Sequence, residues 1–382
     1  MWKYLVSRTI QIIVTLFVFF ALTYFILDAQ PGDITMQYTN PRWTLAQRQE
    51  LAVRLGLDRP WYERFFKWVG NTVQGDLGLS YADRRPVMEI IFERAPRTIF
   101  LFLTALMIEF VVGYFLGRVL AWSRGSLTEY SITVVGAIMY TIFTPWFALL
   151  MIYFFGFTLG WFPLRGFLEP TIWLNVPDAD ANTIFGFLLL TFTVLAALVS
   201  VIMYATRKMN PGRANRLRIE LTIAAFVVVF GVWLTYQYNF LAVDIIRHTI
   251  LPVATLTIIN FSGTMLLTRT TMLETLREDY IMAARAKGLS ERVVRDKHAA
   301  RNALLPVFTG LILSLPFVLA GGIITETIFS WPGMGRELLQ ASTAGDIPVV
   351  MGAFLFIGTL SLVAHFIADI TYAFLDPRIR YS

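Results

Sequence analysis

The sequence predicts an all-α integral membrane protein with eight spans and both termini on the cytoplasmic side. Three observations carry that expectation. Of 382 residues, 56% are apolar and only 15% charged, against about 45–50% and about 25% in soluble domains, so a soluble fold of this length could not bury its own apolar surface. The apolar residues gather into eight runs, each near the roughly 20 residues that a helix needs to cross a hydrocarbon core. Basic residues fall unequally on alternate connecting segments, which fixes orientation. The absence of cysteine removes disulfides, thiol catalysis and thiolate metal sites. The net charge of +6 sits largely beside spans, so it speaks for membrane orientation and not for nucleic acid.

The first run, Thr9–Leu27, follows Lys3 and Arg8. It is longer than the roughly 7–15 residues of a signal-peptide core, and Asp28-Ala29-Gln30-Pro31-Gly32 makes a poor cleavage site, so a retained helix is expected over 1–27. An outer segment follows over 28–97, with ten basic and nine acidic residues. Its aromatic anchors (Trp43, Trp61, Tyr62, Phe65, Phe66, Trp68) and helical spacing from Thr44 onward predict short helices on the outer face. Spans Thr98–Trp122 and Ser131–Gly156 fill 98–156. Two more, Ile184–Ala205 and Ile219–Tyr238, lie within 157–248 and flank a turn holding Arg207, Lys208, Arg213, Arg216 and Arg218. The region 249–382 carries Thr249–Leu267, Ala303–Thr325 and Val349–Thr371. Between the first two of these lies a charged inner segment, 268–302, that reads as helix, turn, helix with its break at Gly288. With the N-terminus inside, inner segments hold nineteen basic residues and the short outer ones only Arg165, Arg247 and Arg336.

Several chemistries are missing. No H-E-x-x-H, G-x-S-x-G or G-x-x-x-x-G-K-[ST] pattern occurs, so metalloprotease, nucleophile-elbow and phosphate-loop functions lack their residues. No metal site is expected. Ionisable residues within spans are functional candidates by default. Glu109 lies midway along the second span, either turned into the bundle or serving as a proton or cation site. His365 and Asp369, one helical turn apart near the inner end of the last span, form either a packing contact or a relay. Gly113 and Gly117 make a G-x-x-x-G that allows two helix backbones to approach. Pro306, Pro316, Gly310, Gly321 and Gly322 interrupt the seventh span, as a fixed kink or as a pore-lining helix that bends.

The stretch Asp279-Tyr280-Ile281-Met282-Ala283-Ala284-Arg285-Ala286-Lys287-Gly288-Leu289-Ser290-Glu291 resembles the cytoplasmic EAA loop of ABC-importer permeases. Arg301-Asn302-Ala303-Leu304-Leu305-Pro306 resembles its form in the dipeptide/oligopeptide/nickel subfamily. Gly75-Asp76-Leu77-Gly78-Leu79-Ser80, Glu326-Thr327-Ile328-Phe329-Ser330-Trp331-Pro332-Gly333-Met334-Gly335 and Asp376-Pro377-Arg378-Ile379-Arg380-Tyr381 agree with it. Together these resemble the DppB/OppB-type permease over nearly the whole chain except about 167–241. Two departures stand out: Met282 occupies a position where the general loop has Glu, and that subfamily typically has six spans. The resemblance therefore implies a six-helix type I importer permease core with two inserted helices, expected at its periphery.

The resemblance implies a non-catalytic permease subunit of the cell inner membrane, one half of a translocation pore. Implied partners are a second homologous permease (DppC/OppC-type), two ATPase subunits that bind ATP and Mg, an extracytoplasmic substrate-binding protein and membrane lipid; no cofactor is expected in this chain. Peptides lead as cargo, with nickel chelates and oligosaccharides as family alternatives. Within the loop, a short helix from Tyr280 to Lys287 would dock on an ATPase. Small Ala283 and Ala284 would allow close approach, Gly288 the reversal, and Arg285, Lys287 and Arg292 rim ion pairs. On the outer side, Ser330-Trp331-Pro332-Gly333 is either a pore cap or a structural turn. Two other functions are weighed against this one: a membrane-embedded lipid-modifying enzyme using Glu109, His365 and Asp369, and a proton-coupled secondary carrier.

Overall fold

The computed structural model describes residues 2–28, 59–319 and 322–375. Among the described residues every regular element is helical, with a single isolated bridge between Leu79 and Pro86. The tail motif 376–381, the anchor Trp43, the onset of helical spacing at Thr44 and the glycine Gly321 lie outside the described residues. Among the described residues seven helices are long and apolar enough to cross a membrane, or eight if one bent pair counts as a span, against the eight runs expected.

Helix α1 (Trp2–Asp28) meets the amphipathic α2 (Trp61–Val73) through aromatic rings. Tyr24 lies 5.3 Å from Phe65 and 5.4 Å from Trp68, and Phe25 stacks on Phe65 at 5.7 Å, centroid to centroid. Helix α3 (Val87–Trp122) begins at Val87, well before the apolar run. At 1.5 Å per residue its 36 residues extend about 54 Å, beyond the roughly 30 Å hydrocarbon core.

The third expected span, Ser131–Gly156, is bent in the structure. Ser131–Gly156 is not one helix: α4 (Leu127–Thr141) and α5 (Thr144–Met151, prolonged by a π-helical turn Ile152–Thr158) meet at 105°. The cause is local. Ile142 is extended (φ −65°, ψ 136°), and Pro145 has no N–H to give to the Thr141 carbonyl one turn back.

Helices α6 (Ala181–Ala205) and α7 (Pro211–Thr235) form an apolar hairpin. Asp180 caps α6 by accepting from Thr183 N at 2.8 Å, and Trp233 Nε1 donates to Thr191 across the pair at 3.0 Å. Helix α8 (Asn239–Thr275) outruns its apolar stretch at both ends. Then come α9 (Asp279–Ala286), a turn Glu291–Val293, a π-helical segment Val294–Ala299, α10 (Ala300–Leu319), α11 (Ile323–Ile328), α12 (Met334–Ala344) and α13 (Ile347–Leu375).

The chain divides into two compact units, one of residues 150–252 and one of the remainder. In the larger unit α13 packs on α1, α3, α10 and α12. Two apolar clusters sit at opposite ends of α3. One gathers Val87, Ile90, Ile91, Met334, Leu338 and Val350; the other gathers Ala121, Met272, Ile281, Ala284, Val294 and Ala303. Between them the G-x-x-x-G pair presses on α8. A Cβ on Gly113 would lie 2.7 Å from Phe261 O and Thr264 Cβ, and one on Gly117 would lie 2.5 Å from Met265 O and Thr268 Cβ. In the smaller unit, buried Asp244 accepts from Glu169 N and Trp173 Nε1, both at 2.8 Å.

Candidate functional site

The charged segment 268–302 is an elbow between α8 and α10. Helix α9 ends because Gly288 takes a left-handed conformation at φ +76°, a geometry that costs a side-chain-bearing residue about 1–2 kcal/mol. Gly288 N donates to Arg285 O at 2.9 Å and Leu289 N to Ala284 O at 3.4 Å. This pair of bonds closes a helix C-terminus and reverses the chain. One face of α9 is rooted: Ile281 and Ala284 are buried beside Ala121, Met272 and Val294. Of the two alanines expected to approach a partner, Ala283 is exposed and Ala284 is buried, because three residues separate it from Ile281 on the same helical stripe. The outward face presents Tyr280, Met282 and Ala283 on α9, then Gly288, Leu289 and Val293 beyond it. Asn302 Nδ2 donates to the Tyr280 hydroxyl at 2.7 Å, holding that ring at the edge. Arg285 is engaged with Glu291 at 3.0 Å, Lys287 is exposed, and Arg292 is 87% exposed.

A polar strut fixes this elbow to the spans. Asp296, in the π-helical segment, accepts from Arg118 of α3 at 2.6 Å and from its neighbour Arg295 at 2.6 and 2.9 Å. Arg295 also lies over the Trp122 ring at 5.4 Å, and Arg118 over Tyr114 at 5.5 Å. Nearby, Arg269 of α8 donates to Glu129 at 2.8 Å through Nε. Glu129 N is in turn capped by Ser126 at 3.1 Å. Asp296 thus ties the segment that leads into α10 to α3.

At the other end of α3 lies a second built assembly. Glu326 of α11 is wholly buried and accepts from Thr98 Oγ1 at 2.7 Å and from Arg336 N at 2.9 Å. The Thr98 hydroxyl accepts from Met334 N at 2.8 Å. A buried carboxylate thus sits on the N-terminus of α12, where backbone donors are otherwise unsatisfied. Trp331 is also wholly buried and donates through Nε1 to Arg97 O at 3.2 Å. Pro332 is half-buried and Gly333 buried; a Cβ on Gly333 would lie 2.5 Å from Thr98 Oγ1 and press into the Glu326 carboxylate. The loop is thus packed within the chain against Thr98, Arg97 and Glu326. Beside it Arg94 Nε lies 3.2 Å from Glu337; burial pushes the Glu337 carboxyl above its usual range, and Arg94 pulls it back. Asp346 accepts from Ser80 at 2.5 Å and Ala82 N at 3.1 Å, tying the Gly75–Ser80 motif to the start of α13.

The remaining candidates are dispersed. Pro306 and Pro316 both lie inside α10, which stays helical through them. Gly322 precedes α11, and its missing Cβ leaves room for the Phe102 ring, 2.7 Å from where that atom would stand. Glu109 opens into a pocket of about 260 Å³ between α3, α8 and α10. Asp369 lies 3.5 Å from Arg8 of α1, and His365 Nδ1 is 2.8 Å from Ser361 O. Neither residue lines the Glu109 pocket, so the three do not form one catalytic constellation. Among the described residues no group of three or more His, Cys, Asp or Glu could hold a metal. Sequence reasoning missed Asp296, Arg118, Thr98, Glu326 as an anchor, and Asp346. Each is visible in the sequence only as a charged or hydroxyl residue, with nothing beside it that marks its partner.

Comparison with known proteins places this geometry. Residues 217–381 match the family described as binding-protein-dependent transport system inner membrane component, and residues 1–102 match its N-terminal membrane component. The chain is 34% identical over 383 residues to a di/tripeptide transport system permease protein DppB of Pseudomonas aeruginosa. It is 31% identical over 382 residues to an oligopeptide transport system permease protein AppB of Bacillus subtilis. A dipeptide transport system permease protein DppB of Escherichia coli is 30% identical over 383 residues. In each case 100% of both chains is covered.

Proposed function

The chain belongs to the family of binding-protein-dependent transport system inner membrane components, the non-catalytic permease subunits of ABC importers, and on that premise we propose that it forms half of the pore of a peptide importer. Peptide cargo is inferred from the names of the full-length relatives. The second half is a homologous permease. Two ATPase subunits bind ATP and Mg and dock on the elbow, which with both termini faces the cytoplasm. An extracytoplasmic binding protein delivers cargo to the opposite side.

The observation that supports this reading best is the elbow itself. It joins two spans, is rooted by Ile281 and Ala284, and turns Tyr280, Met282, Ala283, Leu289 and Val293 outward in a charged segment. An apolar patch framed by Lys287 and Arg292 is a surface made for a partner, with charge steering the encounter. Force enters there. A ligand shifts a two-state equilibrium only through differential affinity, and ATP supplies that difference by closing the ATPases on the elbow. The Arg118–Asp296 strut passes the displacement to α3. Helix α10, which lacks two backbone donors at Pro306 and Pro316, bends as the elbow moves.

Gly288 tests the reading. A Cβ there meets nothing within 4 Å, so a bulky side chain projects outward instead of disrupting the chain's interior. Gly288→Trp, at a strain of about 1–2 kcal/mol, is expected to leave a folded permease and to lower ATP-driven uptake at least tenfold through lost docking. Uptake by Gly288→Trp equal to wild type, or wild-type uptake in cells lacking every cognate ATPase, overturns the assignment.

A further inference from the structure

The larger unit places one ionisable group at mid-depth in an otherwise apolar stretch of α3. Glu109 has no hydrogen bond or ion pair with any described residue. Its pocket, about 260 Å³, also takes Asn260 from α8, Ser314 from α10 and the Phe102 ring from α3. An ionised carboxylate at this depth is costly against lipid tails, so in its charged form Glu109 calls for a hydrated passage or a cationic partner.

The neighbouring polar groups say which ligand chemistry fits. Asn260 donates one Nδ2 hydrogen to Leu256 O at 2.9 Å, which leaves its Oδ1 available. Ser314 gives its single hydroxyl proton to Leu311 O at 2.7 Å, so its oxygen can only accept. Three helices thus contribute three oxygen acceptors around one cavity, with one negative charge among them. An ammonium group has three N–H donors and one positive charge; a carboxylate offers the opposite and is repelled. The Phe102 ring, seated by the missing Cβ of Gly322, adds a π face suited to a cation.

We propose that the Glu109 pocket is a way-station for the protonated α-amino group of peptide cargo, which orients the peptide as it passes. The inference rests on the peptide-importer reading above. Glu109 binds the ammonium, while Asn260 and Ser314 complete its hydrogen bonds. The pocket releases the ammonium when α10 moves relative to α3 and α8, because the three acceptors then separate.

The test uses the complete importer, with permease pair, ATPases and binding protein, in phosphatidylethanolamine/phosphatidylglycerol vesicles and radiolabelled tri-alanine as probe. Uptake is scaled to the amount of assembled complex measured by native mass spectrometry. Glu109→Gln is expected to slow uptake at least tenfold, the usual worth of a charge-assisted hydrogen bond, and Glu109→Asp to restore most of it. Asn260→Ala and Ser314→Ala should each slow it several-fold. Glu109→Gln transporting at the wild-type rate overturns the proposal. So does Glu109→Gln that no longer assembles, since Glu109 would then serve a cationic side chain of the partner permease. Wild-type complex that takes up no tri-alanine with ATP is a different failure: it removes the peptide reading itself, whatever Glu109 does.

Discussion

Gly333 shows how much one hydrogen atom in place of a methyl group can decide. The Glu326 carboxylate and the Thr98 hydroxyl close over its Cα, and the first N–H groups of α12 satisfy both. Gly333→Ala is therefore expected to destabilise the permease by about 1–3 kcal/mol, read as a lowered melting temperature in detergent. An unchanged melting temperature would mean that the carboxylate swings aside at no cost. This position also limits what sequence can say. The segment Glu326–Gly335 was recognisable as a motif, and a structural turn was one of two readings. Its contacts belong to the tertiary structure, in which Trp331 is buried and donates to Arg97 O. A tryptophan in an outer loop reads equally well as an interface anchor or as core, because burial belongs to the surroundings and not to the residue.

At the level of elements, the fold works through helix ends more than through helix middles. Long α3 carries an apolar cluster at each end and a strut at its C-terminal one. The pair Arg118–Asp296 is partly exposed, at 21% and 34%, so its direct coupling in a double-mutant cycle of Arg118→Gln and Asp296→Asn should be only about 1 kcal/mol. Its mechanical effect should exceed that. Either single change is expected to reduce peptides imported per ATP hydrolysed, and equal transport stoichiometry in wild type and variants would deny the strut that role. The spans themselves were legible, because hydrocarbon demands an unbroken apolar run and leaves few alternatives. The bend between α4 and α5 was not foreseen. Pro145 was visible in the sequence, yet the continuous apolar run around it outweighed one missing donor.

Across the whole molecule, two compact units share one chain, and each has its own polar keystone. In the unit of residues 150–252 that keystone is Asp244. Asp244→Ala leaves the donors of Glu169 N and Trp173 Nε1 without a buried acceptor, at about 1–3 kcal/mol each. Hydrogen exchange should rise across residues 167–248 and stay as it was in α3; a uniform rise in both units would mean that they unfold as one. What the sequence by itself determined is the class of solvent, the number and rough limits of the apolar runs, the elbow at Gly288 and the family. Each of these is set by local composition, by a period or by a contiguous motif. What only the tertiary structure decided is partnership: Ser80 with Asp346, 266 residues apart, Thr98 with Glu326, 228 apart, and Arg118 with Asp296, 178 apart. Such pairs depend on which faces of which helices meet. That is fixed by close backbone approach at Gly113 and Gly117 and by packing over the whole bundle, and no single segment encodes it.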